Sequence, residues 1–476
     1  MNVLFIAAEA DPLIKKGGLG DVAGTLPFAL RDADSHLDIR LAIPHYASIN
    51  PKYPIKHLLS YSIPSSDGPV KVDVSSTEVN GLTVYLIGGE PIHAQEAVYV
   101  NVPEILCERF VFFSVACLYL PVALKWPIDL LHAHDWHTGV AIHQLKALSK
   151  SNALLKNVRS MLTIHNLPFM GAGSENALKK FLISPATNKN MPVWSRTLPL
   201  PMGMNSADSI VPVSSGYARE ILTPGFGCDL QDFLKTKSKK ITGIVNGIDY
   251  TLWDPSKDPE ITERYEFTTL ARRAINKAAL QKELGLAITP KTPLLALIGR
   301  LDRQKGFDIV IGAMKELAPF DWQLVVLAYG DDKSLESDML KLSADFSGKV
   351  SFREEMNLPL SRRIYASADM LLMPSRYEPC GLAQMIAMHY GCIPIASATG
   401  GLKDTIVDFS VDSQKASGFL VDSPDEKIFA ERIHSAFEVF KDKMAWEIMQ
   451  ENGMNSDFSW QKPARKYLAL YKRLMV

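Results

Sequence analysis

Short apolar runs alternate with longer amphipathic stretches along the whole chain. Apolar runs of this kind, bounded by turn residues, predict strands that are buried on both faces of a parallel sheet. In the first half of the chain they cover residues 3–8, 39–43, 83–87, 129–133, 160–164 and 209–213. A second series covers residues 294–298, 323–328, 350–352, 370–373 and 393–396. Strands that alternate with helices predict an α/β fold with helices on both faces of each sheet.

The segment at residues 246–259 separates the two series and is rich in turn formers and prolines. Such a composition is typical of a linker between domains. A chain of 476 residues is also too long for one ordinary core. We therefore predict two doubly wound Rossmann-like domains facing across a cleft, at residues 1–245 and 260–460. Ligands of such sheets bind outside the carboxyl ends of the strands, so the loops there are expected to carry the chemistry.

Composition excludes several classes of function. The net charge of −1 gives no electrostatic reason to expect nucleic acid or an anionic membrane as a partner. The five cysteines are scattered and form no C-x-x-C pair, which indicates a reducing compartment. The longest apolar stretch, 110–124, contains Ser114 and Pro121 and is shorter than the ~20 residues that span a bilayer. We expect a buried helix there, no signal peptide and a cytoplasmic protein.

The first loop with candidate chemistry lies between the strand predicted at 3–8 and a helix predicted at 22–30. It contains Lys15, Gly17 and Gly18. Glycines at such a turn let backbone N–H groups approach a ligand, and the helix N-terminus favours an anion. The lysine adds a mobile positive charge. The loop therefore predicts a site for a phosphorylated or sugar-like ligand.

Two other interpretations of this loop are weighed. Gly18-x-Gly20-x-x-Ala23 satisfies the dinucleotide-binding pattern. That pattern also requires an acidic residue at the end of the second strand, where this chain has Pro44-His45-Tyr46 instead. A purely structural glycine turn is the other alternative.

Polar side chains also follow the strands predicted at 129–133 and 160–164. His132, His134, Asp135 and His137 resemble a metal cluster, but alternate residues of a strand point to opposite faces, so the set does not converge easily. A core histidine that satisfies polar groups is the alternative for His132. Asp135 is expected to face the cleft. His165, at the next strand end, either fills the core or bonds sugar hydroxyls together with the adjacent Asn166.

Three strand-end loops of the second half carry candidate residues. Arg300 and Lys305 follow the strand at 294–298, and an arginine and a lysine at that spacing suit a phosphate. A solvated basic loop is the alternative. The other two loops begin helices beside glycines and offer anion-facing N-termini; they contain Glu378, Cys380, Gly381 and Leu382, and Thr399, Gly400 and Gly401.

These residues resemble the motifs of the bacterial glycogen synthase and plant starch synthase family, which are retaining glucosyltransferases of the GT-B type. The resemblance covers essentially the whole chain, in order. The motifs that carry it are Lys15-x-Gly17-Gly18-Leu19-Gly20-Asp21, His132-x-His134-Asp135-Trp136, His165-Asn166, Asn246-Gly247-Ile248-Asp249, Gly299-Arg300-Leu301, Gln304-Lys305-Gly306, Glu378-Pro379-Cys380-Gly381-Leu382 and Thr399-Gly400-Gly401-Leu402.

The resemblance implies transfer of glucose from ADP-glucose to the non-reducing end of an α-1,4-glucan, either glycogen or a malto-oligosaccharide, without metal or organic cofactor. It also implies that a C-terminal helix at 461–476 crosses back onto the N-terminal domain. Arg300 and Lys305, helped by Lys15, would stabilise the leaving diphosphate, a role for preorganised cations.

The remaining expected roles follow from the same resemblance. His165 and Glu378 would hold the glucosyl ring, and Asp135 would face the acceptor or the anomeric centre. The other residues expected to bind substrate are Gly17, Gly18, Asn166, Asn246, Met356, Cys380, Gly381, Leu382, Thr399, Gly400 and Gly401.

Departures from the family pattern bear on specificity. Met356 stands where bacterial relatives often have a tyrosine that stacks on the base. The alternative interpretation is that Met356 packs in the hydrophobic core. Phe169-Met170-Gly171 replaces the family's Tyr-Gln-Gly.

Two other functions are consistent with the fold: another retaining GT-B transferase with a different donor or acceptor, and an inactive glucan-binding protein. Sucrose and mannosyl transferases often have a second glutamate where this chain has Ile386, which counts against them.

Overall fold

The computed structural model describes residues 1–93, 97–423 and 425–476. The chain divides into two compact units, Met1–Asn246 with Trp460–Val476, and Gly247–Ser459. The residues predicted as a linker fall within the second unit from Gly247 onward. Asp258 among them is buried, and its carboxylate accepts hydrogen bonds from the Tyr390 hydroxyl at 2.6 Å and the Arg362 guanidinium at 3.3 Å.

The first unit contains a twisted sheet flanked by helices. Its strands are β1 (Asn2–Ile6), β2 (Asp38–Pro44), β3 (Lys56–Ile63), β4 (Val70–Val79), β5 (Leu82–Gly88), β6 (Leu130–His134), β7 (Arg159–Ile164) and β8 (Ser209–Pro212). Its helices are α1 (Gly18–Ala33), α2 (Glu90–His93), α3 (Pro103–Ala123), α4 (Asp135–Leu148), α5 (Glu175–Lys180), α6 (Pro199–Ser206), α7 (Ser215–Glu220), α8 (Gln231–Thr236) and, near the C-terminus, α17 (Gln461–Met475).

The strand order of this sheet is β3-β4-β5-β2-β1-β6-β7-β8. The prediction of parallel strands is confirmed from β5 to β8, where each neighbouring pair is parallel. It is wrong at the other edge, because β4 runs antiparallel to both β3 and β5. Sequence analysis did not predict β3 and β4, whose exposed and polar positions do not form an apolar run.

Helix α3 is the apolar stretch considered above. Its 21 residues are long and apolar enough to cross a membrane by length and composition, but 72% of its most apolar window is buried inside the protein. It packs against α4, α5 and β3. The prediction of a buried helix is therefore confirmed, although the helix begins earlier than expected.

Helix α17 packs against α1 in the same unit. The Tyr471 hydroxyl lies 2.6 Å from His132 Nδ1, and Lys472 forms an ion pair with Asp34 at 3.0 Å. The C-terminal residues thus contact both the end of α1 and the middle of the central strand β6.

The second unit is also built around a parallel sheet. Its strands are β9 (Leu294–Arg300), β10 (Gln323–Tyr329), β11 (Val350–Glu354), β12 (Met370–Met373), β13 (Ile393–Ser397) and β14 (Phe419–Val421), in the order β11-β10-β9-β12-β13-β14. Its helices are α9 (Arg273–Glu283), α10 (Phe307–Glu316), α11 (Lys333–Asp345), α12 (Leu358–Ser367), α13 (Ala383–His389), α14 (Gly400–Thr405), α15 (Glu426–Lys441) and α16 (Lys443–Asn455). Leucine, isoleucine and valine of β9, β10, β12 and β13 form the buried core.

Candidate active site

The glycine loop of the first unit lies at the carboxyl end of β1, where α1 begins at Gly18. Lys15 Nζ is 2.5 Å from Asp21 Oδ1 on the first turn of that helix. A Cβ atom at Gly18 would meet nothing within 4 Å, and one at Gly17 would meet only Glu9 Oε1, at 3.7 Å. Packing therefore does not require glycine at these two positions, in keeping with close approach of a ligand.

Gly24, one turn further along α1, provides the contrast. A Cβ atom there would lie 2.2 Å from the carbonyl oxygen of Asp11, so only glycine fits. Packing of α1 against the residues after β1 therefore requires glycine at position 24, inside the helix and outside the turn. It does not account for Gly17 and Gly18.

Glu9 is a site residue that sequence analysis missed. Its side chain is only 2% exposed, and its Oε2 accepts a hydrogen bond from the backbone N–H of Lys16. Burial raises the pKa of Glu9 to about 7, against the effect of hydrogen bonds from the backbone of Lys16, Gly17 and Gly20. The signal in the sequence was a single acidic residue directly after the apolar run 3–8.

Asp135 connects the ends of β6 and β7. It is the first residue of α4, in the left-handed region with φ of +56°, and it is buried. Its Oδ1 accepts hydrogen bonds from the backbone N–H of His165 at 2.7 Å and of Asn166 at 3.4 Å. Burial raises the pKa of Asp135 to about 7. The carboxylate therefore fixes the loop that carries His165 and Asn166.

His132 is a core histidine. Besides its contact with Tyr471, its Nε2 lies 2.8 Å from Thr163 Oγ1, and the side chain is fully buried. Burial lowers the pKa of His132 to about 3, so the ring is neutral at physiological pH. The core interpretation considered for this residue is confirmed.

His165 and His134 form a second pair of rings. His165 Nε2 lies 2.9 Å from His134 Nδ1, and the rings stack with centroids 5.2 Å apart. Burial lowers the pKa of His165 to about 3, so it acts as a neutral hydrogen-bonding group.

Within residues 1–93, 97–423 and 425–476, no group of three or more His, Cys, Asp or Glu side chains is arranged to hold a metal ion.

Two asparagine side chains of the first unit carry buried acceptors. Within the part of the chain that the structure describes, Asn166 Oδ1 and Asn246 Oδ1 have no hydrogen-bond partner. Buried polar atoms are nearly always satisfied, and an unsatisfied one requires an explanation. A sugar hydroxyl could donate to either oxygen.

The candidate cations of the second unit lie in the loop after β9. Lys305 Nζ is 2.6 Å from Glu378 Oε2, which also accepts a hydrogen bond from Ser375 Oγ at 3.1 Å. The backbone N–H of Lys305 donates to Asp302 Oδ1 at 2.9 Å. Arg300, at the end of β9, pairs with Asp302 and remains 47% exposed. The structure thus brings Arg300, Lys305 and Glu378 together at one strand edge.

The loops at Glu378 and Gly400 pack on each other. The N–H of Gly401 donates to the carbonyl of Glu378 at 3.1 Å, and a Cβ at Gly401 would lie 2.1 Å from the carbonyl oxygen of Cys380. Gly400 has φ of +47°, and a Cβ there would lie 2.0 Å from the carbonyl oxygen of Glu378. Loop packing therefore explains glycine at 400 and 401, whatever they contribute to binding.

The other predicted residues of this region differ in exposure. Cys380 and Thr399 are buried, whereas Gly381 and Leu382 are partly exposed before α13. Met356 lies between β11 and α12 with 61% of its surface exposed. The alternative that Met356 packs in the core is therefore wrong, and its contact with a nucleobase stays a prediction.

Comparison with known proteins decides the family. Residues 2–236 match the starch synthase catalytic domain family, and residues 282–451 match the glycosyl transferases group 1 family. A glycogen synthase of Clostridium beijerinckii is 37% identical over 480 residues, covering 100% of this chain and 99% of that protein. The chain belongs to the glycogen and starch synthase family. It is accordingly a hexosyltransferase.

Further relatives and solved structures support the same family and the same fold. A glycogen synthase of Streptococcus pneumoniae is 34% identical over 486 residues, covering 100% of both chains. The catalytic domain of starch synthase IV from Arabidopsis thaliana, solved with ADP and acarbose, superposes with a TM-score of 0.92 at 30% identity, covering 99% of each chain. Sucrose-phosphate synthase from Thermosynechococcus elongatus, at 20% identity and a TM-score of 0.64, shares the fold. The fold is the GT-B glycosyltransferase fold.

Proposed function

We propose that this protein is a cytoplasmic enzyme that transfers the glucosyl group of ADP-glucose to the non-reducing end of an α-1,4-glucan, with retention of configuration. Glycogen and malto-oligosaccharides are the acceptors. The observation that carries the proposal is the group of Arg300, Lys305 and Glu378, with Lys305 Nζ 2.6 Å from the Glu378 carboxylate. A lysine beside a buried carboxylate, with an arginine five residues earlier in the chain, suits a diphosphate joined to a sugar.

In the proposed reaction, the bond between the anomeric carbon and the diphosphate oxygen breaks, and its electron pair leaves with ADP. The 4-hydroxyl oxygen of the acceptor's terminal glucose forms the new bond to the same face of the anomeric carbon, and the proton of that hydroxyl passes to the departing diphosphate. Negative charge therefore grows on the diphosphate as the reaction proceeds. Arg300 and Lys305 stabilise that charge, since fixed cations at a developing charge lower the barrier. Glu378, held by Ser375 and Lys305, binds hydroxyls of the glucosyl ring.

Residues of the first unit have the complementary roles. Lys15 and the N-terminal amides of α1, including Gly17 and Gly18, contribute further donors to the diphosphate. His165, neutral because of burial, bonds sugar hydroxyls as donor or acceptor. Asp135 holds the His165 loop and faces the acceptor side. The unpaired Oδ1 atoms of Asn166 and Asn246 accept from hydroxyl groups.

The loops of the second unit bind the rest of the donor. The backbone of Cys380, Gly381 and Leu382 and that of Thr399, Gly400 and Gly401 is assigned to the nucleotide sugar. Exposed Met356 is assigned to the base. The ADP and acarbose bound to the Arabidopsis starch synthase IV domain support an adenine nucleotide and a glucan-like acceptor for this chain as well.

The test is incubation of the purified protein with glycogen and either ADP-glucose or UDP-glucose, each radiolabelled in the glucose. We expect label to enter the polymer from ADP-glucose, with one ADP released per glucose. A Lys305→Ala variant in parallel controls for contaminating activity. Incorporation from UDP-glucose alone would overturn the donor assignment. Nucleotide binding without any transfer would indicate an inactive glucan-binding protein.

A further inference from the structure

The carboxylate of Glu9 lies within the curve of the glycine loop. It accepts a hydrogen bond from the Lys16 N–H, and a Cβ atom at Gly17 would lie 3.7 Å from its Oε1. A Cβ atom at Gly20 would approach Glu9 Cδ to 3.4 Å and Lys15 Cγ to 3.1 Å. The loop is therefore wrapped closely around this one buried side chain.

This arrangement changes which groups the loop can offer to a ligand. Successive N–H groups at a glycine-rich turn commonly hold a phosphate. Here the Lys16 N–H is directed at Glu9, and the N–H of Gly20 also donates to the carbonyl of Gly17 at 3.0 Å. A phosphate would have to compete with the Glu9 carboxylate for the Lys16 N–H. The first-turn amides of α1 at Gly18 and Leu19 do not have this competitor, and the Lys15 ammonium group is paired with a different carboxylate, that of Asp21.

We propose that Glu9 is a positioning residue that holds the loop at residues 15–20 in the shape that directs Lys15 toward the donor diphosphate. The inference rests on the proposed function, since it assigns the loop to the donor. Lys15 itself is anchored on the other side by Asp21. Glu9 therefore holds the backbone next to Lys15, and Asp21 holds the Lys15 side chain.

The proposal predicts a specific pattern of kinetic change. Glu9→Ala leaves the Lys16 amide without its acceptor, so the backbone next to Lys15 is no longer held in place. We expect the catalytic efficiency with ADP-glucose to fall by at least about tenfold, with the KM for glycogen unchanged. Glu9→Gln keeps one side-chain oxygen as acceptor, and we expect it to recover most of the loss.

A double-mutant cycle separates positioning from general stability. In a Lys15→Ala background, Glu9→Ala should cost less than about threefold, because its effect acts through Lys15. The matched control is Asp208→Ala, since Asp208 Oδ2 also accepts a backbone N–H, that of Ser160 at 3.0 Å, in the same unit. It should lower the melting temperature and leave the efficiency with ADP-glucose unchanged.

The affinity for ADP, measured by calorimetry, tests the positioning role of Glu9 separately from the proposed glucosyl transfer. Absence of glucose transfer by the wild-type protein would overturn the proposed function. Weaker ADP binding in Glu9→Ala would still support the positioning role. Wild-type kinetics and ADP affinity in Glu9→Ala would overturn the inference, as would losses that multiply independently with those of Lys15→Ala. If Glu9→Ala does not fold, Glu9→Met, which keeps the volume of the buried side chain and removes the acceptor, takes its place in the cycle with Lys15→Ala.

Discussion

The buried site residues of the first unit and the cations of the second unit are held by different interactions. Lys15 of the first unit, paired with Asp21, resembles the cations of the second. In the first unit, Glu9, Asp135 and His132 are buried and are held by backbone amides or neutral side chains. In the second unit, Arg300 and Lys305 are 47% and 28% exposed and are held by ion pairs with carboxylates. The first set is fixed by the fold itself. The cations of the second set can exchange a protein carboxylate for a ligand phosphate.

This difference predicts which substitutions reduce activity and which reduce stability. An exposed or half-exposed ion pair contributes little to stability, about 0–1 kcal/mol. A buried amide that loses its acceptor costs about 1–3 kcal/mol. Changes in the second unit should therefore reduce activity while the protein stays folded. Changes of the buried site residues in the first unit should reduce stability as well.

The largest expected effect is on the rate. Lys305→Ala and Arg300→Ala should each lower kcat by ~10²–10³, because both cations stabilise charge that grows in the transition state. The melting temperature of Arg300→Ala should stay near that of the wild-type protein, whereas Lys305→Ala removes a partner of the buried Glu378 carboxylate and should lower it modestly. Initial rates at saturating ADP-glucose, with calorimetric melting curves, check both parts.

The control is Lys333→Ala in the same unit, since Lys333 forms a similar pair with Glu336 at 2.6 Å on an exposed helix. It should leave kcat unchanged. A large loss of stability without loss of kcat in Lys305→Ala would reverse the comparison of the two units.

The second prediction concerns stability in the first unit. Asp135→Ala removes the acceptor of the His165 N–H, and we expect the free energy of unfolding to fall by about 1–3 kcal/mol. Asp135→Asn keeps a side-chain oxygen in place and should cost less than half as much. Urea unfolding measures both. Equal losses in the two variants would mean that the carboxylate charge, and not the hydrogen bond, holds the loop.

The third prediction is a pH dependence. Burial lowers the pKa of His132 to about 3, whereas an unfolded histidine has a pKa near 6.5. Between these values the unfolded state binds one more proton, so His132 reduces stability as the pH falls below about 6.5. The slope is about 1.4 kcal/mol per pH unit.

His132→Gln should remove this one-proton slope, as measured by urea unfolding between pH 7.5 and about 5. Burial raises the pKa of Glu9 and of Asp135 to about 7, so these groups act in the opposite direction and favour folding as the pH falls. Both are present in the variant and the wild type, so the difference between the two curves isolates His132. Parallel curves would contradict the buried, neutral ring.

The smallest expected effect concerns Met356. Stacking of an aromatic ring on a base is worth ~1–3 kcal/mol, and a flexible thioether should supply only part of that. Met356→Tyr should therefore lower the KM for ADP-glucose with little change in kcat, the pattern of added uniform binding. An unchanged KM would remove Met356 from the donor site.

The sequence predicted most of the central architecture but only part of the site. Apolar runs located β1, β2, β5 and β6 to β13, since strands covered on both faces must be continuously apolar. The hairpin of β3 and β4 was missed because its strands have exposed faces, and β14 because it has only three residues.

Within the site, family motifs predicted the residues but not their partners. The bond from the His165 N–H to Asp135 depends on the parallel register in which His134 pairs with Thr163. Glu9 belongs to no recognised spacing, and its role follows only from the path of the loop around it. Contacts between residues far apart in sequence are set by tertiary structure, and local sequence patterns do not predict them.

The most direct measurement of the central claim is proton NMR of a reaction that contains the protein, ADP-glucose and maltotriose. We predict a longer oligosaccharide with one new α-1,4-linked glucosyl unit for each ADP released. A β-linked product would contradict retention. Free glucose released with ADP, and no longer oligosaccharide, would contradict glucosyl transfer to a glucan.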